Sequence, residues 1–245
     1  MASTHDPENT AAGDEDPALA TPDSRIDANI SRRYWEDADA TDNGMLGGWA
    51  FVSRMDLRGS RSFLAKLGFG RKGGRKTLGR VLEGGAGIGR ITTGLLLDLA
   101  ETVDVIEPVA KFTKALAEHE GVGKIFNVGL EDWRPDESGD VRYDVIWNQW
   151  CVGYLNDAQL ESYLSHCKSV LTVNDDGEVK GVIVVKDNIS LNKEIFDEKD
   201  SSVIRQEDTF RRIFENAGLR IIRSELQHGM PDELFPIRTF ALKPK

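Results

Sequence analysis

The stretch Arg80-Val81-Leu82-Glu83-Gly84-Gly85-Ala86-Gly87-Ile88-Gly89-Arg90 decides the fold. Val81 and Leu82 end a short apolar strand, and Ile91-Thr92-Thr93-Gly94-Leu95-Leu96-Leu97 reads as a helix. Between them Gly85, Gly87 and Gly89 stand at alternate positions. Strand, glycine loop and helix in that order form the first turn of a nucleotide-binding α/β domain. The glycines let the chain turn tightly and let its backbone approach a ligand.

Glycine spacing narrows the class. A dinucleotide fingerprint runs G-x-G-x-x-G. Counted from Gly85, its last glycine falls on Arg90; counted from Gly87, it falls on Thr92. The pattern present, from Glu83 to Gly89, is E-x-G-x-G-x-G. It resembles the first motif of S-adenosylmethionine-dependent methyltransferases of the Rossmann-like class. Val103–Ile106 is the expected second strand, and Glu107 closes it, 22 residues past Gly85. A carboxylate at roughly 20 residues accepts from both ribose hydroxyls.

Working outward, the 245 residues suffice for one large α/β domain and an appendage. Hydrophobic residues make up 40%, enough for a core. A formal net charge of −10 argues against a duplex nucleic-acid partner, which needs a basic footprint. It favours a cationic substrate through the long-range field. Cys151, Cys167, His5, His119, His166 and His228 form no ligand-spaced cluster, so no metal site and no disulfide framework are expected. Two cysteines in a chain of this length suit a reducing compartment. No apolar run approaches a membrane span, and no signal segment opens the chain. A cytoplasmic protein is expected, with the nucleus as a second compartment and a monomer as the default state.

Residues 1–29 read as a disordered acidic tail. Residues 30–76 read as an N-terminal helical extension and lid over the site. Its stretch Asp42-Asn43-Gly44-Met45-Leu46-Gly47-Gly48-Trp49 carries glycines that oppose a regular helix and apolar residues unsuited to an idle loop. A lid over a ligand and a strap packed on the domain both account for it. Ser60–Leu67 has helical spacing, and Gly68–Lys76 is a basic connection.

Residues 77–245 read as the parallel domain. Its expected strands are Gly79–Glu83, Val103–Ile106, Lys124–Asn127, Tyr143–Trp147 and Gly181–Lys186. Helices are expected over Ile88–Ala100, Ala110–Glu118, Asp157–Val170 and Asp208–Ala217, with a long connection from Asp187 to Glu207. Two last strands, Arg220–Gln227 and Arg238–Lys243, lack a helix between them, which predicts an antiparallel hairpin at one sheet edge. The expected fold is a doubly wound, seven-stranded, mostly parallel Rossmann-like sheet with that C-terminal hairpin and the N-terminal extension.

Ligands bind outside the carboxyl ends of parallel strands. The run Trp147-Asn148-Gln149-Trp150 lies there, without the prolines of methyltransferases acting on DNA adenine. Trp147, within the strand, is expected in the core. Trp150, past the strand end, is expected at the site, able to stack on a flat ring. The loop after the fifth strand is acidic, with Asp187, Glu194, Asp197, Glu198 and Asp200, and suits an ammonium group.

Together these stretches resemble the eukaryotic protein α-N-terminal methyltransferase family, which recognises a free N-terminus reading Xaa-Pro-Lys. The matching residues are Tyr34-Trp35, Gly44-Met45-Leu46-Gly47-Gly48, Gly85 to Thr92, Gly129-Leu130, Tyr143 to Trp147 and Gln149-Trp150. Lys186-Asp187-Asn188, Asp200-Ser201-Ser202-Val203 and Pro231-Asp232-Glu233 continue them, so the resemblance covers Ser31 to Lys243. It implies S-adenosylmethionine as cofactor, with S-adenosylhomocysteine as product. The implied cofactor-binding set is Gly85, Gly87, Arg90, Glu107, Pro108, Val109, Leu130, Glu131 and Gln149. Arg90 takes the cofactor carboxylate, Leu130 packs on the adenine and Glu131 lies near its amine. Implied substrate contacts are Tyr34, Leu46, Trp150, Asn188, Asp197, Asp200 and Ser202, and the implied catalytic residues are Asp200, Asn188 and Tyr154.

The resemblance also implies mono-, di- or trimethylation of the α-amine after removal of the initiator Met, with partners such as ribosomal proteins. One departure matters: many family members carry histidine where Tyr154 stands. A tyrosine, with a pKa of about 10, donates rather than accepts a proton at neutral pH. Two other readings stand beside this one. One is a small-molecule N- or O-methyltransferase of secondary metabolism, which predicts a closed pocket without an acidic loop. The other is a non-catalytic module, which predicts a broken glycine loop or a missing ribose acid.

Overall fold

The computed structural model describes residues 21–71, 73–136 and 138–245. Residues 1–20 of the expected tail lie outside the described residues. Over 21–29 that expectation is corrected: a 3₁₀ turn forms at Pro22–Arg25, and helix α1 (Ala28–Asp37) begins within the supposed tail. Long-range partners order this polar segment. Arg25 pairs with Glu198 at 2.9 Å, and Asp23 accepts from the Asp157 N–H at 3.0 Å.

In the strap no regular helix runs on: Gly47 and Gly48 take left-handed φ of +56° and +94°. α2 (Asp42–Met45) is a single turn, capped by the Thr41 hydroxyl on the Gly44 N–H at 3.1 Å. α3 (Ser53–Lys66) is longer than expected. Its buried side chains, Asp56, Ser60, Phe63 and Leu64, recur at helical spacing and face the sheet.

The domain opens with β1 (Leu78–Gly84), α4 (Arg90–Gly94) and β2 (Ala100–Ile106). The helix expected over Ile88–Ala100 is broken. Leu95 leaves helical geometry at φ −141°, and the Arg61 guanidinium takes the Gly94 carbonyl at 3.1 Å. Ala100 therefore starts a strand instead of ending a helix. The next expected helix also splits, into α5 (Ala110–Thr113) and a 3₁₀ turn at Leu116–Glu118. β3 (Val122–Phe126) follows, and then β4 (Val145–Gln149), which runs two residues further than expected and takes Asn148 and Gln149 into the sheet.

α6 (Asp157–Ser169) starts at a capping box between Asn156 and Gln159. β5 (Val182–Asn188) holds Asp187 and Asn188 within its end. The long connection beyond it contains a small hairpin absent from the sequence expectation, β6 (Ile195–Asp197) and β7 (Ser202–Ile204). α7 (Glu207–Asn216), β8 (Leu219–Leu226) and β9 (Ile237–Pro244) finish the chain.

The seven-stranded sheet has the order β3-β2-β1-β4-β5-β9-β8. Its first five strands pair in parallel, and β9 enters antiparallel between β5 and β8. Side chains alternate between two apolar layers. Leu82, Ile146, Ile183 and Val185 face the side of α6 and α7, with Phe210, Phe214 and Phe240. Val81, Val145, Trp147 and Val184 face the opposite layer, with Phe63 and Leu64 of α3. The same period of two sends Gln149 and Lys186 toward α3.

Candidate active site

The strand ends of β1, β2 and β4 open on one cavity, closed on its far side by α1 and the strap. Glycine is required twice in its floor. Gly85 has φ +65°, and a Cβ there would lie 2.3 Å from the Cys151 Cβ. Gly87 has φ +55°, and its Cβ would lie 2.9 Å from the sulfur of Met45, so α2 rests on the loop.

Glu107 lines the cavity and is 6% exposed. Its two oxygens accept from the Gly87 N–H and the Val109 N–H, each at 2.8 Å. The carboxylate thus braces the glycine loop against the end of β2. Burial outweighs those two bonds and raises its pKa. Glu83, beneath the loop, accepts from the Thr92 hydroxyl, and burial pushes it up to about 8.

Arg90 lines the cavity from the start of α4. Its Nη1 donates to Asp56 Oδ2 at 2.8 Å. Asp56 also accepts from Gln149 Nε2 at 2.9 Å and from Lys186 Nζ at 2.5 Å. Asp56 and Lys186 are both 0% exposed. Burial alone would raise the Asp56 pKa, yet Lys186 and then Arg90 outweigh it and hold the carboxyl below its ordinary value. Burial lowers Lys186 against the opposing pull of Asp56.

Trp150 sits at φ +53°, a left-handed backbone for a bulky residue, with its N–H bonded to the Lys186 carbonyl at 3.0 Å. That geometry turns the indole into the cavity wall. Its buried Nε1 has no partner among the described residues. Farther along, Tyr154 Oη donates to Asp200 Oδ2 at 2.8 Å, and Ser202 Oγ donates to Asp200 Oδ1 at 2.7 Å. Trp35 meets both Tyr154 and Tyr34 edge to face. Burial, and next the Asp200 charge, hold the Tyr154 pKa well above its ordinary value.

Of the residues read from sequence, Gly85, Gly87, Arg90, Glu107, Pro108, Leu130, Glu131, Gln149, Leu46, Trp150 and Tyr154 line this one cavity. Val109 is buried behind Glu107. Asp200 and Ser202 are joined to the wall through Tyr154, and Tyr34 through Trp35. Asn188 and Asp197 are not in the wall. Asn188 ends β5, its N–H bonded to Asp187, and Asp197 caps the hairpin turn through the Lys199 N–H. Sequence reasoning missed Asp56 and Lys186. The readable signal for Asp56 was its place in the apolar stripe of α3, four residues before Ser60 and eight before Leu64. Ala28, Arg32, Ile91, Phe112 and Leu155, also unassigned, line the cavity as well, as do Trp35, Met45, Glu83, Ala86, Gly129 and Cys151.

The donor set fits a nucleoside linked to an amino acid. Glu107 can accept from a diol, Arg90 can meet a carboxylate, and Ile91, Phe112 and Leu130 present apolar surface to a flat base. Sheet order, E-x-G-x-G-x-G loop and strand-end acid define an S-adenosylmethionine-dependent methyltransferase of the Rossmann-like class. A family model described as AdoMet dependent proline di-methyltransferase matches residues 23–243, and the chain belongs to that family.

Its relatives agree. The chain is 41% identical to the N-terminal Xaa-Pro-Lys N-methyltransferase 1-B of Xenopus laevis, over 87% of this chain and 93% of that one. It is 40% identical to the Alpha N-terminal protein methyltransferase 1 of Schizosaccharomyces pombe, over 86% and 93%. Among solved structures, a SAM-dependent methyltransferase of Leishmania major superposes with a TM-score of 0.75 at 33% identity, covering 88% of this chain and 82% of that one. S-adenosylmethionine is accordingly the cofactor of this chain. Among the described residues no helix is long and apolar enough to cross a membrane.

Proposed function

We propose that this chain methylates the free α-amine of proteins whose N-terminus reads Xaa-Pro-Lys once the initiator Met is gone. The observation that carries the reading is the junction of two features: an aromatic wall of Trp35, Trp150 and Tyr154, and a carboxylate, Asp200, hydrogen-bonded to that wall. An apolar, ring-shaped second residue suits Trp150. A cationic amine or lysine side chain suits the Asp200 carboxylate, which stands beside aromatic faces.

In this reading Gly85, Gly87, Arg90, Glu107, Pro108, Val109, Leu130, Glu131 and Gln149 hold the cofactor. S-adenosylmethionine, when bound, supplies an electrophilic methyl group on sulfonium. Trp150, Leu46 and Tyr34 hold the substrate's second-position ring in a narrow channel. Asn188 holds the first residue, while Asp197, Asp200 and Ser202 meet the third-position lysine. Residues 30–76 act as the lid, with the Met45 and Leu46 side chains over the glycine loop.

The chain aligns a neutral amine with the electrophile and excludes water. A free α-amine has a pKa of about 7.7–8.0, so neutralising it at pH 7 costs only about 1 kcal/mol. Asp200 mainly places the cationic group, and the proton leaves to solvent or along Tyr154. Repeated rounds add one to three methyls. Ribosomal proteins are proposed partners, a monomer the working unit, and cytoplasm and nucleus the sites of action.

The test is mass spectrometry of a Ser-Pro-Lys-Arg peptide incubated with enzyme and cofactor, beside the same peptide acetylated at its N-terminus. Gains in units of one methyl on the free peptide alone are expected. No gain on either, with cofactor binding demonstrated, would overturn the reading in favour of a small-molecule substrate.

A further inference from the structure

Asp56 stands on α3, outside the sheet, yet it is the hub of the buried cluster beside the cavity. Two cations share this one carboxylate: Arg90 at 2.8 Å and Lys186 at 2.5 Å. The remaining partners of Lys186, Ser60 Oγ at 2.9 Å and Gln227 Oε1 at 3.2 Å, are neutral. Gln149 on the other side of Asp56 is neutral too. The cluster therefore holds one positive charge more than it holds negative. Glu83 does not supply the missing charge at neutral pH, because burial raises it to about 8.

An uncompensated buried charge is costly unless something meets it. Here the excess is exposed on one side only, where Arg90 forms part of the cavity wall. A guanidinium offers five donors in a rigid fork. Among the described residues only Nη1 meets side-chain acceptors, Asp56 at 2.8 Å and Ser53 at 3.4 Å.

We propose that Asp56 and Lys186 are positioning residues for the anion-binding arm of the cofactor cavity: Asp56 aims the Arg90 fork, and Lys186, by sharing that carboxylate, leaves Arg90 with charge to spend on the cofactor's carboxylate. Asp56 belongs to α3, whose N-terminus follows the strap. The proposal rests on Arg90 meeting that carboxylate, as assigned above.

The test compares two ligands by titration calorimetry. S-adenosylhomocysteine carries the carboxylate; 5′-methylthioadenosine keeps the adenosine and sulfur but lacks the amino-acid end. The variants are Lys186→Met, Asp56→Asn and the double variant, all close in shape to the native side chains. Loss of one charge-assisted contact is expected to weaken S-adenosylhomocysteine about tenfold in each single variant. Methylthioadenosine affinity is expected to stay within about twofold. In turnover, KM for the cofactor rises while kcat holds.

The double variant removes the fully buried Asp56–Lys186 pair together and leaves Arg90, on the cavity wall, as the one charge of the cluster, so it guards against misfolding from an unpaired buried lysine. It too is expected to bind S-adenosylhomocysteine more weakly than the wild type. Unchanged S-adenosylhomocysteine affinity, or a parallel loss of both ligands, would overturn the proposal. A wild-type protein that failed to bind methylthioadenosine would instead refute the assignment of the cavity, and the proposal with it.

Discussion

The Tyr154 hydroxyl donates to Asp200 Oδ2 across 2.8 Å, tying the loop after β4 to the hairpin after β5. Ser202 occupies the other oxygen of the same carboxylate at 2.7 Å. Asp200 is therefore oriented from both sides. Tyr154, with its pKa pushed up by burial and by Asp200, stays protonated across the working range and acts as a donor. Replacing Tyr154 by Phe should lower kcat/KM for peptide about tenfold, the worth of one hydrogen bond to a charged group. The pH profile should keep a single rising limb near the amine's own pKa of about 7.7–8.0 in both proteins. Loss or displacement of that limb in Tyr154→Phe would make Tyr154 a proton carrier.

Glu107 supports the glycine loop as well as facing the cavity. In Glu107→Ala the N–H groups of Gly87 and Val109 lose their acceptors. Stability of the protein without cofactor should fall by about 1–3 kcal/mol, read from urea unfolding. S-adenosylhomocysteine affinity should fall at least about 100-fold. Glu107→Gln keeps one acceptor oxygen and should fall between. A variant with normal loop stability and lost affinity would confine Glu107 to the ligand.

Glu83 gives a pH signature of folding. Its folded pKa, about 8, lies above the ordinary glutamate value of 4.5, so the folded state binds more protons than the unfolded state between those limits. Stability from this group is complete below about 4.5 and declines as pH rises toward about 8. Glu83→Gln abolishes that titration. The stability of the wild type relative to Glu83→Gln should therefore fall between pH 5 and 8, measured by urea unfolding across the series. A constant difference would show that Glu83 is ionised in the fold.

Ser201 holds the N-terminal segment on the β6–β7 hairpin. Its φ is +56°, its hydroxyl accepts from the Asp27 N–H at 2.8 Å, and its carbonyl accepts from the Ser31 hydroxyl at 3.2 Å. Ser201→Ala loses the first bond and keeps the backbone strain. It should raise peptide KM about fivefold and leave S-adenosylhomocysteine affinity alone, a loss of about 1 kcal/mol. Ser201→Gly loses the same hydroxyl but relaxes the left-handed backbone, so it should be the more stable of the two in thermal unfolding. The reverse ranking would mean that the turn is not strained.

The features legible in the sequence were those written as local patterns. The glycine spacing from Gly85 to Gly89 and the acid Glu107 named the class. Short continuous apolar runs such as Val145–Trp147 placed the sheet. The broken helices were not legible, because the run Ile91–Leu97 is apolar enough to carry a helix past Gly94, where the chain leaves helical geometry at Leu95 and the Arg61 side chain of α3 takes the freed Gly94 carbonyl. The order within residues 21–29 escaped for a similar reason. A polar segment without its own core gains structure from Glu198, Ser201 and the start of α6.

The sequence by itself determined the fold class, the cofactor and the family, since each is carried by contiguous motifs whose backbone geometry is local. Tertiary structure alone decided which charges meet. Arg90 and Asp56 lie 34 positions apart, and Asp56 and Lys186 lie 130 apart. Their pairing depends on α3 packing across β4 and β5, with the two-residue strand period turning Gln149 and Lys186 toward it. No spacing rule encodes that encounter. The physical reason is that burial makes the ion cluster: the same three side chains, left in water, would have little cause to associate.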